Sequence, residues 1–186
     1  MQGAVNGEDI VMAGYAGLAG SIRAAELKEQ ELVARFPAAF MKRIKALPVH
    51  LTGRDAVLEA LGSLPGFEAC ECGEGGVYAA LWELCSKRGS GLEVYLADIP
   101  VRQETIEICE LLGLDPYRLN SAGSVLICAA SGAEAAAHLK KAGIYASVIG
   151  RLAAGNDKLI HNGDHAGYLN RPAPDELGKI TGEEDI

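Results

Sequence analysis

The chain has 186 residues, of which 49% are hydrophobic, and a formal net charge of −8; this length can bury one substantial core, so a single domain is expected. The acidic balance, with no basic cluster larger than the run 42–45, argues against binding to nucleic acid. No stretch of about 18 uncharged apolar residues and no basic leader with an apolar run occurs, and the five cysteines are odd in number, so we expect no membrane contact and reduced thiols in a cytoplasm.

The first third of the chain predicts one strand followed by helices. An apolar segment runs into a turn rich in glycine, Gly14–Gly20, and apolar residues then recur at helical spacing until Pro37. The predicted elements are a strand at 9–15 and helices at 21–36, 38–47 and 54–61.

The rest of the chain alternates strands with helices at short spacing. The predicted strands are 67–72, 92–96, 125–130 and 144–149, and the predicted helices are 76–88, 101–112 and 133–142. We expect Lys158–His161 to form a hairpin with the strand before it. This alternation predicts a layered α/β or α+β sheet with helices packed on it.

Two further features bear on how the chain is organised. The polar side chains of Arg102, Glu104, Glu107 and Glu110 are expected to form one solvated helix face. No internal repeat or linker interrupts the chain, so residues 1–170 are interpreted as one domain. The Gly-, Pro- and charge-rich residues 171–186 are expected to form a flexible tail.

The motif CECGEGG, residues 70–76, is the first candidate site. Zinc sites usually pair cysteines two to four residues apart, and Cys70 and Cys72 are too close and lack a second pair. His161 and His165 have helical spacing, but Gly163 between them argues against a helix, so no metal site is expected. As redox thiols, Cys70 and Cys72 lack the Cys-x-x-Cys turn and lie beside two carboxylates, which disfavour a thiolate.

A phosphate-binding loop is the third interpretation of this motif. A strand, a glycine turn and a helix present backbone N–H groups and the positive end of a helix dipole. The carboxylates of Glu71 and Glu74 would repel an anion there. The alternative is a tight connection between strand and helix that binds no ligand, and the local residues favour this alternative. A second polar loop precedes the strand predicted at 125–130. The candidate ligand-binding residues of the two loops are Glu71, Gly73, Glu74, Gly75, Gly76, Asn120, Ser121, Gly123 and Ser124.

Four segments together resemble a known domain: VNGEDIVMAGYAGLAGS (5–21), the run 75–129 from GGVYAALWELC to SVLICA, AGIYASVIGRL (142–152) and YLNRPAPDEL (168–177). They are similar to the C-terminal domain of the AIR (aminoimidazole ribonucleotide) synthase superfamily, and most of all to its hydrogenase-maturation-like branch. The order and spacing within 99–119 are the most specific part. The resemblance implies an α+β fold, a mixed sheet flanked by helices that is partly ferredoxin-like.

The resemblance also bears on the site. Members of this superfamily typically carry His-Asp-x-Thr-x-Gly-Gly where this chain has CECGEGG. Gly75 and Gly76 match this pattern, while Cys70, Glu71 and Gly73 replace the His, Asp and Thr. Family members usually place an Mg-ATP-binding domain before this one, and this chain is expected to begin near that junction.

The function expected from these features is a stand-alone, non-catalytic module that binds a small molecule or another protein. It would need no cofactor and would self-associate, most simply as a dimer. The alternative is one half of a split ATP-dependent enzyme, with Mg-ATP supplied by a separate protein that forms the N-terminal half.

Overall fold

The computed structural model describes residues 7–182. A single mixed sheet of seven strands organises this part of the chain, in the spatial order β2-β4-β1-β5-β3-β6-β7. The strands are β1 (Asp9–Ala13), β2 (Glu68–Glu71), β3 (Gly91–Tyr95), β4 (Val125–Ala129), β5 (Ala146–Ala153), β6 (Lys158–Asn162) and β7 (His165–Tyr168). Neighbouring strands are antiparallel, except that β6 runs parallel to β3. The expected α+β class with a mixed sheet is confirmed.

Helices accompany the sheet throughout the described residues. They are α1 (Leu18–Leu27), α2 (Glu29–Arg35), α3 (Ala38–Lys45), α4 (Arg54–Leu61), α5 (Gly76–Arg88), α6 (Gln103–Leu112), α7 (Gly132–Lys141) and α8 (Gly178–Thr181). The predicted helix 21–36 is instead two helices, because Lys28 leaves the helical conformation. Across residues 7–182, no helix is long and apolar enough to span a bilayer.

Alternating side chains of the strands divide the core between the two faces of the sheet. On β1, Ile10 and Met12 are completely buried in the cluster that includes α5. Val11 and Ala13 point to the opposite cluster, beneath α4 and α7. A third apolar cluster joins α1, α2, α3 and α6. Helices therefore cover both faces of the sheet around β1.

The prediction that residues 158–161 form a hairpin with the strand before them is wrong. Strand β5 lies between β1 and β3, so both of its edges are already occupied. Strand β6 instead pairs with the free edge of β3, with Leu92 opposite Lys158. Strand β7, which pairs with β6 and ends the sheet, was not predicted from the sequence.

Part of the segment expected to be a flexible tail contacts the rest of the domain at residues 175–177, and the flexibility of 171–186 stays a prediction. Asp175 and Glu176 accept backbone hydrogen bonds from Gly75 and Asp115, and Glu176 is buried. Leu177 packs on the helical cluster. Residues 183–186 lie outside the described part of the chain, and the division into one domain remains a prediction.

The prediction of a solvated helix face is wrong at Glu104, whose side chain is only 6% exposed. Its carboxylate pairs with the Arg43 and Arg102 guanidinium groups at 3.2 and 3.3 Å. A charged group can be buried when it is paired in this way. Glu104 thus joins α6 to α3, while Glu110 remains exposed as expected.

Candidate functional site

The two candidate loops meet in the structure. Strands β2 and β4 are neighbours, so the residues after β2 lie beside those before β4. The Cys72 N–H donates to the Ser124 carbonyl at 2.8 Å, and the Ser121 N–H donates to the Gly73 carbonyl at 3.0 Å. The two loops that contain the candidate residues therefore form one local structure.

The two serine hydroxyls are buried and already bonded. Ser121 Oγ accepts from the Gly17 N–H and donates to the Leu119 carbonyl, at 2.8 and 3.0 Å. Ser124 Oγ accepts from the Tyr15 N–H and donates to the Tyr15 carbonyl, at 3.1 and 2.9 Å. These hydroxyls hold the turn between β1 and α1 and are not available to a ligand in this arrangement.

This turn is a part of the site that sequence reasoning missed. Residues 14–17 look like a simple connection, yet they carry the groups that Ser121 and Ser124 bind. A Cβ atom on Gly14 would lie 2.7 Å from Ser124 Oγ. The cluster of glycines was the only signal, because glycine is needed where two loops approach so closely.

The start of α5 is closed by contacts within the chain. The Gly75 N–H donates to Asp175 Oδ2 at 2.8 Å, and the Gly76 N–H donates to the Gly73 carbonyl at 3.1 Å. The Asp175 carboxylate thus occupies the position that an anion would take at this helix N-terminus. Asp175 was missed because it lies in the segment that the sequence indicated to be flexible.

The other candidate residues lie at the surface or support the loop. Glu71 and Glu74 are exposed and add negative charge beside α5. Asn120 Oδ1 accepts from the Ala122 N–H at 2.9 Å, which shapes the second loop. Gly123 has φ +86°, and a Cβ there would lie 2.5 Å from the Thr52 carbonyl oxygen.

The thiols lie in environments that disfavour thiolates. Cys72 is buried, and burial raises the pKa of its thiol. Burial, followed by the charge of Glu83, raises the pKa of the half-buried Cys70. Cys109 and Cys128 are buried, and burial raises the pKa of each to about 12.

No metal-binding group emerges from residues 7–182, since no cluster of three or more His, Cys, Asp or Glu side chains could hold an ion. His161 lies on β6, where its ring stacks on Tyr95 with centroids 4.8 Å apart. His165 lies on the neighbouring strand and pairs with Asn162.

Comparison with known proteins identifies the family. The sequence profile described as "AIR synthase related protein, C-terminal domain" matches residues 68–162, just over half of the chain. The chain belongs to this family. Carbamoyl dehydratase HypE of Rhodobacter capsulatus is 33% identical to this AIR synthase-related domain over 116 residues, which cover 60% of this chain and 32% of the relative. The domain thus spans about a third of the length of such relatives.

Solved structures share the fold of this AIR synthase-related domain. Escherichia coli HypE, a hydrogenase maturation protein, superposes with a TM-score of 0.72 at 22% identity, covering 95% of this chain and 53% of that one. HypE in complex with ATP gives 0.73 at 20% identity, with 95% and 53% covered. HypE from the HypE–HypF complex gives 0.72 at 22% identity, with 92% and 55% covered.

The geometry shows what this AIR synthase-related domain keeps of the motif that it resembles. Gly75 and Gly76 match the pattern, and both adopt positive φ, +74° and +67°, which glycine tolerates best. Cys70, Glu71 and Gly73, which differ from it, have no such backbone requirement. The two positions that match the pattern are thus the ones whose backbone conformation favours glycine.

We expect the thiols of this AIR synthase-related domain to react slowly with iodoacetamide near neutral pH. The thiolate is the reactive form, and burial raises the pKa of Cys70 and Cys72. Peptide mapping after timed alkylation measures each site, with glutathione as the reference thiol. Modification of Cys70 or Cys72 in the folded chain as fast as that of glutathione would contradict this assignment.

Proposed function

We propose that this AIR synthase-related domain is a binding module that does not catalyse a reaction by itself. The observation that carries the proposal is that the two serine hydroxyls and the N–H groups of Gly75 and Gly76 are bonded within the chain. Ser121 and Ser124 hold the turn before α1, and Asp175 caps α5. A catalytic loop needs groups free to meet a substrate, whereas these groups stabilise the loops themselves.

Charge supports the same proposal. Glu71 and Glu74 are exposed next to the start of α5, and the Asp175 carboxylate lies at the helix terminus itself. A triphosphate at this place would meet three carboxylates, and like charges repel strongly at short range. We therefore propose that the isolated chain uses neither Mg-ATP nor another cofactor.

Titration with Mg-ATP tests this proposal. We expect isothermal titration calorimetry to give a Kd no tighter than about 1 mM, which corresponds to only about 4 kcal/mol of binding free energy. We also expect phosphate release at the background rate in the same solution. Asp175→Asn is the matched variant, because it keeps the size of the cap and removes its charge. Micromolar binding or clear phosphate release by the unmodified chain would overturn the proposal.

One half of an ATP-dependent enzyme is the second candidate function, with a separate protein as the N-terminal half. The similarity to HypE supports it, because one matched structure is of HypE in complex with ATP and the chain spans only part of such proteins. Repeating the phosphate assay with a purified N-terminal half of a HypE relative separates the two candidates. Turnover only in the mixture favours the split enzyme.

We also propose that the domain self-associates through β7. This strand ends the sheet within residues 7–182, and all four of its residues are exposed. It carries no Lys, Glu or Pro of the kind that protects an edge strand, whereas β2, at the other edge, carries Glu68 and Glu71. An antiparallel edge of this kind can pair with its own copy around a twofold axis.

Light scattering tests this pairing. We expect a dimer for the unmodified chain and a monomer for Tyr168→Lys, because a charged side chain on an edge strand disfavours pairing with another strand. Val33→Lys is the control, since Val33 is an exposed apolar residue on α2. A monomer before substitution, or a dimer that Tyr168→Lys leaves intact, would refute pairing through β7.

A further inference from the structure

An open cavity of about 250 Å³ lies between the turn after β1, residues 49–53 and residues 143–145. Contacts within the chain, including contacts with the second candidate loop, hold these segments together. Ser124 Oγ bonds the backbone of Tyr15, and the Gly14 N–H donates to the Tyr145 carbonyl at 2.9 Å. Thr52 lies where Gly123 approaches. The volume is below the usual range for drug-sized ligands, so the cavity suits one ring system and not a whole nucleotide.

Stacked aromatic rings form one wall of this cavity. The Tyr15 and Tyr145 rings lie nearly parallel, at 14°, with centroids 5.1 Å apart. His50 meets Tyr15 edge-on at 6.2 Å. Tyr145 remains 55% exposed although it is stacked on Tyr15, so much of its ring is open to a ligand. An aromatic shelf of this kind favours flat π-systems, which prefer offset stacking.

The lining of the cavity also indicates the charge of the ligand. No Asp, Glu, Lys or Arg lines it. His50 and Thr52 offer hydrogen-bonding groups, and the exposed side chain of Leu51 offers apolar surface at the same place. The Arg102 guanidinium lies over the Tyr15 ring, 5.5 Å from its centroid, but does not line the cavity. A charged group in the cavity would therefore lose water without a charged partner in the lining. An uncharged ring with a polar edge fits this lining.

We infer that this cavity binds an uncharged, planar heteroaromatic ring, which stacks on Tyr145 and lies beside His50 and Thr52. The inference rests on the proposed binding role and gives it a site and a ligand class. It also places the ligand outside the glycine turn of α5, whose N-terminus Asp175 already caps.

Amide NMR spectra of the ¹⁵N-labelled chain test the inference, with nicotinamide and indole as probes. We expect both to shift the amides of Thr52, Gly53 and Tyr145 at millimolar concentration. Cyclohexanol, which has similar size but no π-face, and inorganic phosphate are the comparison probes. The absence of shifts with both rings, or equal shifts with cyclohexanol, would overturn the inference.

Substitutions test whether the ligand stacks on Tyr145. Tyr145→Ala should weaken binding of indole about tenfold or more, as expected when an aromatic stacking partner is removed. Tyr95→Ala is the matched control, because Tyr95 is also exposed and stacked, on His161, away from the cavity. Ala56→Trp, on the exposed side of α4, should obstruct the cavity without removing its aromatic wall. Melting curves establish that each variant is folded, and unchanged indole affinity in both Tyr145→Ala and Ala56→Trp would refute the site.

The outcome is separable from that of the proposed function. Phosphate release by the chain alone would refute the non-catalytic proposal whatever the ring titrations give. Failure of nicotinamide and indole to bind would refute this site and leave the ATP measurements unaffected.

Discussion

Gly76→Ala is expected to destabilise the domain by about 3 kcal/mol or more, since it combines backbone strain with a clash in a packed region. Gly76 has φ +67°, which residues with a Cβ rarely adopt. An added Cβ would lie 2.8 Å from the Leu119 carbonyl oxygen and closer still to that of Tyr117. These are backbone atoms, so neither can rotate away, and the start of α5 would have to move.

The displacement would also break contacts that join α5 to the segment before β4. The Tyr78 N–H donates to the Tyr117 carbonyl at 3.1 Å, and the rings of these two tyrosines stack with centroids 5.5 Å apart. Urea unfolding followed by circular dichroism measures the loss. We expect most of it to appear as a lower midpoint with an unchanged slope.

Gly73→Ala is the matched control for this prediction. Gly73 lies in the same turn, has no positive φ, and an added Cβ would meet nothing within 4 Å. Its variant should stay within about 0.5 kcal/mol of the unmodified chain. If Gly76→Ala is as stable as Gly73→Ala, the glycines of this motif are not kept for their backbone geometry.

The sequence predicted local structure well where the signals were local. Helix α4 has the predicted bounds, Arg54–Leu61, because glycines flank an amphipathic segment. The partner of β6 was not predictable in this way. Its choice of β3 over β5 depends on which edges the rest of the sheet leaves free, and periodicity carries no information about that.

The candidate site shows the same division. The sequence identified both loops, since glycine and serine clusters mark turns. It could not show that Ser121 and Ser124 are buried, because their partners lie more than 100 residues away in the chain. Asp175, which caps Gly75 across 100 residues, was hidden for the same reason. Long-range hydrogen bonds decided whether these polar groups were free.

Arg88→Met should be the second large loss, about 2–3 kcal/mol, because it strands a carboxylate that is mostly out of water. Arg88, at the end of α5, pairs with Glu8 just before β1 and with Glu68 at the start of β2. The Arg88 and Glu8 side chains are only 19% and 12% exposed. Methionine keeps most of the apolar stem of the side chain, so the loss mainly reports the missing guanidinium group.

Arg151→Met is the control, because Arg151 pairs with Glu93 on the sheet but is 60% exposed. Water screens such a pair, and little or no change in unfolding midpoint is expected. Adding Glu8→Gln to Arg88→Met should recover part of the loss, since it removes the stranded charge. If Arg88→Met costs no more than Arg151→Met, or Glu8→Gln gives no recovery, this ion pair does not hold α5 to the starts of β1 and β2. A recovery seen in the Arg88→Met background, with no gain from Glu8→Gln in the unmodified chain, would show that the charge of Glu8 is tolerated there because α5 supplies its partner.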